Sequence, residues 1–394
     1  MLEGKVEWGP SNGYELQEYQ LSPSSWNRFE ECPRKYWLSR QRLPRKVGMP
    51  IVIGNAIHNS IEDICNFDIS GKEDSEMEWL PKLAKDTLSH HWQLQKDIFL
   101  ETPRHPSWKK NSFNVAREGL DKALHMLLNQ AKVFDIELSN ISVKNWKQVK
   151  NIILANEGTM NSQCGKLMGR LDLLLKDIDN DGKQIGWIVV DLKTGKPPKG
   201  SLRETVNRQL LFYRDLLKSV NPTHPPIRTE GWYTSNQTMH QAKGSSVTED
   251  AFSTWELVKL TETPFEATPE EFTCGFCEWK AWCPKWLIAI NDGSLKKGGR
   301  FSDEVVTLIN FDPEGGLASF KVMKPDGIYG NLIDSGERFG AFLVNQPLHQ
   351  LIELHSQGYD GPLFLGSLRI DGKTRHLGDW SEVLPWKPLL KSIR

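Results

Sequence analysis

Residues 166–193 read KLMGRLDLLLKDIDNDGKQIGWIVVDLK, in which two apolar runs flank the cluster DIDNDG. Apolar, β-branched runs on either side of such a turn-forming cluster predict a β-hairpin. The midpoint between Asp172 and Asp191 falls between Asp181 and Gly182. A hairpin that closes symmetrically there places the two aspartates opposite each other, with Cβ atoms about 5 Å apart. Because two like charges at that distance are costly without a cation between them, the hairpin predicts a metal site.

Lys193 extends this predicted site, because the period-2 alternation of a strand turns Asp191 and Lys193 to the same face. Two carboxylates that hold Mg²⁺ or Mn²⁺, with an ammonium group beside them, suit the hydrolysis of a phosphodiester. The cation activates water and neutralises the phosphate, while the lysine positions that water or stabilises charge in the transition state. We therefore expect Asp172, Asp191 and Lys193 to be the catalytic residues.

Side chains outside the hairpin add to the predicted site. Gln209 and Tyr213 lie four residues apart on the next predicted helix, so they share one face and could orient a phosphate or a base. His58, on a predicted helix after Gly54, is a candidate nitrogen ligand. Glu157, which precedes the hairpin, is a candidate additional acid.

The composition excludes several classes of protein. Hydrophobic residues make up 38 % and charged residues 25 % of the chain, which is typical of a soluble globular protein. No basic segment followed by an apolar run opens the sequence, and no stretch reaches the roughly 18 apolar residues of a membrane span. The net charge of −1 means that any nucleic-acid surface has to be a local patch. We expect a cytoplasmic protein without membrane contact, whose cysteines are reduced and free to bind metal.

The predicted elements around the hairpin are those of an α/β fold. Residues 76–155 are mostly helical, and Ser201–Val220 is a further helix that ends at an Asn-Pro pair. Ile227–Thr234 and Glu256–Leu260 have the composition of strands.

A Gly- and Lys-rich linker at Gly293–Gly299 predicts a domain boundary. We expect one domain over residues 1–292 and a small β-rich domain over 300–394. The second has four or five short predicted strands, with a helix between the third and the fourth. That order is compatible with an OB-like barrel, and equally with a structural appendage or a partner-docking module.

Five short motifs occur in order along the chain: CPRKY (32–36), Gly54 followed by His58, GRLD (169–172), DLK (191–193) and QLLFY (209–213). In this order they resemble the RecB-like branch of the PD-(D/E)xK nuclease superfamily, over roughly residues 20–290. The resemblance implies a restriction-endonuclease-like α/β core, in which helices flank a mixed sheet, with a helical insertion.

The resemblance also implies roles for single residues. In that branch a histidine and two acidic residues bind metal, the motif lysine is catalytic, and the Q-L-x-x-Y helix supports the site. The implied metal ligands are His58, Asp172, Asp191 and the carbonyl of Leu192. Lys193 becomes the catalytic base or the residue that positions water, while Gln209 and Tyr213 contact DNA or support the site.

Four of the six cysteines form a second candidate site. Cys274, Cys277 and Cys283 lie close together in the sequence, and Cys32 is available as a fourth thiolate. Four thiolates suit a [4Fe–4S] cluster or zinc. Their spacing resembles the iron–sulfur staple of AddB-type and CRISPR-associated exonucleases, which implies a structural [4Fe–4S] cluster, with zinc as the alternative.

Basic residues near the motifs are candidate contacts to the DNA backbone or supports of the site, namely Arg34, Lys35 and Lys196. The resemblance implies a Mg²⁺- or Mn²⁺-dependent deoxyribonuclease, in particular an exonuclease. Its substrate would be single-stranded DNA or duplex ends, in DNA repair, phage biology or CRISPR-type defence. A helicase or another DNA-processing protein is the expected partner. The alternative is a non-catalytic DNA-binding scaffold of the same fold.

Overall fold

A computed structural model of the chain places the predicted hairpin at the centre of a five-stranded sheet. The structure describes residues 6–9, 19–260, 266–328, 330–372 and 374–391. The helices in these ranges are α1 (Pro23–Glu31), α2 (Pro33–Ser39), α3 (Met49–Asn66), α4 (Trp79–Glu101), α5 (Ser112–Gln130), α6 (Val143–Ile152), α7 (Glu204–Val220), α8 (Thr248–Leu260), α9 (Glu271–Gly275), α10 (Pro284–Asn291) and α11 (Asn345–Ser356). The strands are β1 (Ile153–Asn161), β2 (Met168–Ile178), β3 (Gln184–Lys193), β4 (Ile227–Tyr233), β5 (Thr238–Gln241), β6 (Phe301–Asp312), β7 (Leu317–Asp326), β8 (Asn331–Leu343), β9 (Leu363–Asp371), β10 (Thr374–Leu377) and β11 (Glu382–Pro385).

The first sheet has the strand order β1-β2-β3-β4-β5. Its first three strands are antiparallel neighbours, β3 and β4 are parallel, and β5 returns antiparallel to β4. The parallel step is made by α7, which crosses from β3 to β4 and packs on the sheet. Consecutive side chains of β2 and β3 are fully buried at 173–175 and 188–190, so both faces of the central strands are covered.

Next to the two aspartates, the strands of the hairpin pair in the predicted register. Leu173 pairs with Val190, and the same register continued by one residue puts Asp172 opposite Asp191. The two strands therefore present the acidic pair at the position that the sequence predicted.

The turn of the hairpin differs from the predicted symmetric closure. The N–H of Asp179 donates to the carbonyl of Lys183 at 3.0 Å, and Gly182 takes a left-handed φ of +77° inside this loop. An irregularity between Asp177 and Ile178 shifts the pairing by one residue. This bulge restores the register that the aspartates need, although the loop itself is centred on Asp181, half a residue from the predicted midpoint.

The predicted helical insertion is present as α4, α5 and α6, which precede the sheet. α3 packs against α5 and β1, and α6 packs against β1 and β2. None of the described helices is long and apolar enough to cross a membrane.

Residues 256–260, predicted as a strand, belong instead to α8. Ala251, Trp255 and Val258 are buried, and their spacing of four and three residues matches one face of a helix. Acidic residues in the first turn of α8 further favour a helix. The strand prediction was wrong because it used a window too short to show this period.

The described chain divides into two compact units. The first comprises the described residues up to Asn27, Met49–Phe99 and Lys109–Leu260. The second comprises Arg28–Gly48, Leu100–Trp108 and the described residues after Leu260. Two early segments thus join the C-terminal part of the chain, and the compact units do not follow the sequence order of the predicted domains. The extents 1–292 and 300–394 stay predictions of where the nuclease-like and C-terminal parts lie.

The contacts of Arg104 explain why the short segment Leu100–Trp108 belongs to the second unit. Its side chain is 2 % exposed, and the guanidinium donates to both carboxylate oxygens of Glu382, at 3.1 and 3.0 Å, and to two backbone carbonyls. Lys46 lies 3.2 Å from the same carboxylate. Burial by itself raises the pKa of Glu382, but the charges of Arg104 and Lys46 outweigh it and hold that pKa below its usual value.

The C-terminal strands confirm the predicted β-rich part, and their connectivity is that of the OB-like barrel with which the sequence was compatible. Their order is β10-β8-β7-β6-β9-β11, and an additional pairing of β10 with β9 closes a circuit of five strands. β8 and β10 are parallel, the other neighbours are antiparallel, and α11 lies between β8 and β9 in the chain. A five-stranded barrel with its helix between the third and fourth strands has the arrangement of an OB fold.

Candidate active site

Three side chains of the first unit form a candidate metal centre: His58 from α3, Glu157 from β1 and Asp172 from β2. Their ligand atoms all lie within 4.8 Å of one another, and no other such group of three occurs in the described part of the chain. Nδ1 of His58 is 3.3 Å from Oδ1 of Asp172 and 4.0 Å from Oε1 of Glu157. Nitrogen and carboxylate oxygen atoms at these separations suit a shared divalent cation.

The second carboxylate oxygen of Asp172 is held by the neighbouring strand. The backbone N–H of Leu192 donates to Oδ2 of Asp172 at 2.6 Å. Because Leu192 lies between Asp191 and Lys193, this bond holds Asp172 against the segment that carries both other predicted catalytic residues.

Asp191 is the most buried acid of the site, with 4 % of the residue exposed. Its Oδ1 accepts a hydrogen bond of 2.9 Å from Nε2 of Gln209. Its Oδ2 lies 2.6 Å from Nζ of Lys193, with which it forms an ion pair. Burial raises the pKa of Asp191 to about 6, although the charge of Lys193 acts in the opposite direction.

Lys193 is kept charged by its neighbours. Burial by itself lowers the pKa of Lys193, but the charge of Asp191 outweighs this effect and raises the pKa above its usual value. Nζ also donates to Oε1 of Gln209 at 3.2 Å. In this environment Lys193 is an ammonium group, which can stabilise negative charge or orient water more readily than it can accept a proton.

Gln209 connects the lysine, the second aspartate and the helix that carries it. Besides its bonds to Asp191 and Lys193, its Nε2 donates to the hydroxyl of Tyr213 at 2.9 Å. Burial raises the pKa of Tyr213, so its hydroxyl stays protonated. The Tyr213 ring also lies against Gly169, where a Cβ would come within 2.9 Å of ring carbons. The glycine of the GRLD motif is therefore needed for close packing of α7 on β2.

The carboxylates around His58 favour its protonated form. Burial by itself lowers the pKa of His58, but its hydrogen bond to Asp172 and the surrounding carboxylates outweigh burial and raise the pKa to about 9. Burial and the charge of Asp172 raise the pKa of Glu157, while Arg170 and His58 lower it. A proton on His58 thus offsets part of the negative charge of the surrounding carboxylates. A bound cation would take over that role.

Glu157 is absent from the ligand set that the resemblance implied, although the sequence marked it as an additional acid. It lies in β1, between Asn156 and Gly158, whose partners Leu173 and Leu171 flank Asp172 on the next strand. The sequence prediction missed strand β1, because it extended the helical region to residue 155. In the structure α6 ends at Ile152 and β1 follows directly.

The predicted basic contacts fall in different environments. Lys196 is exposed in the loop after β3, and Lys35 pairs with Glu31 at 2.5 Å. Arg34 is fully buried and donates to the carbonyls of Trp282 and Leu389 and to Sγ of Cys283. Two of its nitrogens are therefore used inside the second unit, and its role as a DNA contact or as a support of the site stays a prediction.

The four predicted cluster cysteines all belong to the second unit, and all are free thiols. Burial raises the pKa of Cys274 to about 11 and that of Cys277 to about 12, and it also raises the pKa of Cys283. The charge of Cys32 also contributes, more weakly than burial, to the raised pKa of both Cys274 and Cys283.

The sulfur atoms do not approach one another as closely as a zinc site requires. Among the described residues, no three cysteine sulfurs lie within 4.8 Å of one another. In a zinc tetrahedron with Zn–S distances of about 2.3 Å, the sulfurs are only about 3.8 Å apart. The described cysteines therefore do not form a clear metal-binding cluster, and the four-cysteine site stays a prediction.

A mixed sheet flanked by helices, with opposed aspartates and a lysine two residues after the second, defines the class of the PD-(D/E)xK nucleases. A family model described as the PD-(D/E)XK nuclease superfamily matches residues 20–284, and the chain belongs to this superfamily. The predicted restriction-endonuclease-like core is thereby confirmed. The matched span includes all four cluster cysteines and ends before the barrel strands. A comparison with curated proteins found no match.

Proposed function

We propose that this chain is a divalent-metal-dependent deoxyribonuclease of the RecB-like branch, and that it acts as an exonuclease. The observation that carries the proposal is the contact set of Asp172. One of its oxygens faces His58 at 3.3 Å, and the other accepts the N–H of Leu192 between Asp191 and Lys193. Asp172 thereby connects the proposed metal ligands with the charged lysine in one site.

The residues present fit a divalent cation such as Mg²⁺ or Mn²⁺. The donor set is one imidazole nitrogen and carboxylate oxygens, and the buried Asp191 lies beside it with Lys193 as its ion-pair partner. Carboxylate and carbonyl ligands suit Mg²⁺ and Mn²⁺. We propose His58, Asp172, Asp191 and the carbonyl of Leu192 as the ligands. When bound, the cation supplies a Lewis acid for the phosphate and a means of activating water.

The other site residues act on the phosphate and on one another. Lys193, held as an ammonium group, stabilises the negative charge that develops on the phosphate during hydrolysis. Gln209 keeps Lys193 and Asp191 at their separation, because it bonds both. Tyr213 is buried against Gly169, which supports a role in holding α7 rather than in contacting DNA. Lys196 is exposed and free to approach a backbone phosphate.

We further propose that Cys32, Cys274, Cys277 and Cys283 hold a [4Fe–4S] cluster in the second unit. The charges of Cys283 and Cys32 add to the effect of burial on the pKa of Cys274, which supports a shared site, and the hydrogen bond from Arg34 to Cys283 supplies a donor to a ligand sulfur. Zinc stays the alternative for the test to decide.

The proposed substrate is DNA, as single strands or duplex ends, with a cytoplasmic location and a helicase or another DNA-processing protein as partner. The matching experiment uses DNA labelled at an end or internally, with Mg²⁺, Mn²⁺ or a chelator. We expect metal-dependent release of the end label as mononucleotides or short fragments. Binding of DNA without any cleavage would contradict the proposal and favour the non-catalytic scaffold. Fragments cut only at internal positions would contradict the exonuclease assignment.

A further inference from the structure

Glu157 has two carboxylate oxygens that face different partners. Oε1 lies 4.0 Å from Nδ1 of His58, within the candidate metal centre. Oε2 lies 2.6 Å from Nε of Arg170. The side chain is 15 % exposed, so it is largely removed from competing water. One carboxylate thus touches both the ligand group and a guanidinium.

The backbone at Glu157 takes a conformation that side chains with a Cβ rarely adopt. Its φ is +49° within strand β1. A left-handed conformation of this kind costs roughly 1–2 kcal/mol for an L-residue. The neighbouring contacts have to outweigh that cost, and strain of this type is often found where a side chain is aimed into a functional site.

Arg170 lies on the same face of β2 as Asp172, because the two are separated by two residues along the strand. Its side chain is 59 % exposed, and among the described residues it forms an ion pair with Glu157 alone. A guanidinium has five N–H donors, so the contact through Nε leaves the others free. These remaining donors match the oxygens of a phosphate in a two-point contact.

We propose that Glu157 is a further ligand of the proposed cation through Oε1, while its Oε2 holds Arg170 to bind a backbone phosphate beside the bond to be cut. This inference rests on the proposed nuclease function and extends it by one metal ligand and one substrate-binding residue. The charges are consistent with both roles. With the cation bound, its two charges and those of Lys193 and Arg170 balance the acids Glu62, Glu157, Asp172 and Asp191, so no net negative charge opposes a phosphodiester.

A purely structural ion pair is the competing explanation. A partly exposed pair of this kind contributes only about 0–1 kcal/mol to stability. Its loss would lower thermal stability slightly, without changing how the protein binds metal. Metal affinity and DNA affinity therefore separate the two explanations, and unfolding alone does not.

The test uses the full chain with four substitutions: Glu157→Gln, Arg170→Gln, Arg170→Lys and, as the matched control, Glu256→Gln. Glu256 is a carboxylate in the same unit that pairs with Lys166 at 3.1 Å in a surface contact. Calorimetry measures Mn²⁺ binding without DNA. Fluorescence anisotropy measures binding of a labelled oligonucleotide with Ca²⁺ in place of Mn²⁺, and circular dichroism checks folding.

We expect Glu157→Gln to weaken Mn²⁺ binding by about 10-fold or more. Arg170→Gln should leave Mn²⁺ binding within about twofold but weaken DNA binding by about 10-fold, the effect of one charge-assisted hydrogen bond. Arg170→Lys should recover part of that loss, because it keeps the charge and loses the planar fork. In the cleavage assay with Mn²⁺, Arg170→Gln should raise KM more than it lowers kcat.

Two results would overturn the inference while leaving the proposed function intact. One is wild-type Mn²⁺ affinity in folded Glu157→Gln, and the other is unchanged DNA affinity in Arg170→Gln. A wild-type protein that binds Mn²⁺ but cleaves no DNA would instead overturn the proposed function, and the Mn²⁺ affinity of Glu157→Gln would still decide the ligand role. A wild-type protein without measurable Mn²⁺ binding would overturn both.

Discussion

The N–H of Leu192 and Oδ2 of Asp172 are 2.6 Å apart, so the first aspartate of the site is bonded to the backbone that follows the second. This contact depends on the register of the hairpin, since a slip of one residue would turn Asp191 and Lys193 to the opposite face. The bulge near Asp177 maintains that register although the turn is not symmetric. The geometry of the candidate site is therefore a property of strand pairing and not of loop conformation.

Gln209→Ala should lower the rate of DNA cleavage by about 10- to 100-fold, as is typical when a residue that orients metal-site groups is removed. The expected cause is loss of its bonds to Asp191 and Lys193. Steady-state cleavage of labelled DNA measures the effect. Tyr213→Phe is the matched control, because it removes only the hydroxyl that Gln209 also contacts. Equal losses in the two variants would contradict the positioning role of Gln209.

Affinity for Mn²⁺ should rise with pH between about pH 6 and pH 9. His58 has a pKa of about 9 in the protein without a cation, and a histidine ligand has to be neutral. Below that pH the cation has to displace a proton, so affinity should change by roughly 10-fold per pH unit and level off above the pKa. Asp191, with a pKa of about 6, adds a second displaced proton only at lower pH. Calorimetry in buffers of different ionisation enthalpy counts the protons released.

The control for this pH dependence is His58→Gln, which lacks the titrating ligand. Its affinity for Mn²⁺ should be lower and nearly independent of pH over the same interval. An affinity in the wild-type protein that does not change from pH 6 to pH 9 would show that His58 is not a ligand.

Arg104→Met should destabilise the second unit by about 3–5 kcal/mol, because it leaves Glu382 buried without its main partner. Urea unfolding followed by tryptophan fluorescence measures the free energy. In the double variant with Glu382→Leu, most of this loss should be recovered, since no uncompensated charge remains. If the single and double variants were equally unstable, lost packing rather than the buried charge would be the cause.

Protein purified without oxygen should be brown, with broad absorption near roughly 400 nm. Cys32→Ser should remove the colour and lower the thermal stability of the second unit, because one of four cluster ligands is lost. Cys164→Ser is a suitable control, as this exposed cysteine lies in the first unit. Colourless protein with stoichiometric zinc would retain the four-cysteine site and exclude iron, whereas a brown Cys32→Ser variant would remove Cys32 from it.

The central hairpin could be predicted from the sequence because two local signals coincide there. Apolar runs identify the strands, and a turn cluster between them sets an approximate midpoint. The bulge at Asp177 could not be predicted, because its position depends on how β3 also pairs with β4. For the C-terminal part, the sequence indicated only short strands with a helix between the third and the fourth, and the pairing order of the strands depends on long-range contacts.

Glu157 and the buried Arg104 show where local pattern stops being informative. β1 begins directly after α6, so no turn residue separates helix from strand, and its mixed polarity hides the period of two. Arg104 and Glu382 are 278 positions apart in the chain, and nothing in the sequence near either one indicates the other. Both features depend on long-range contacts.

The most direct test of the proposed active site compares wild-type protein with Asp191→Ala on end-labelled DNA in the presence of Mn²⁺. Asp191 is buried, bonded to Gln209 and paired with Lys193, so its removal takes away a ligand and the partner of the catalytic lysine together. We expect cleavage to fall by at least about 10³-fold, corresponding to roughly 4 kcal/mol in the barrier, while circular dichroism shows an unchanged fold. Cleavage by folded Asp191→Ala at the wild-type rate would contradict the assignment of this site.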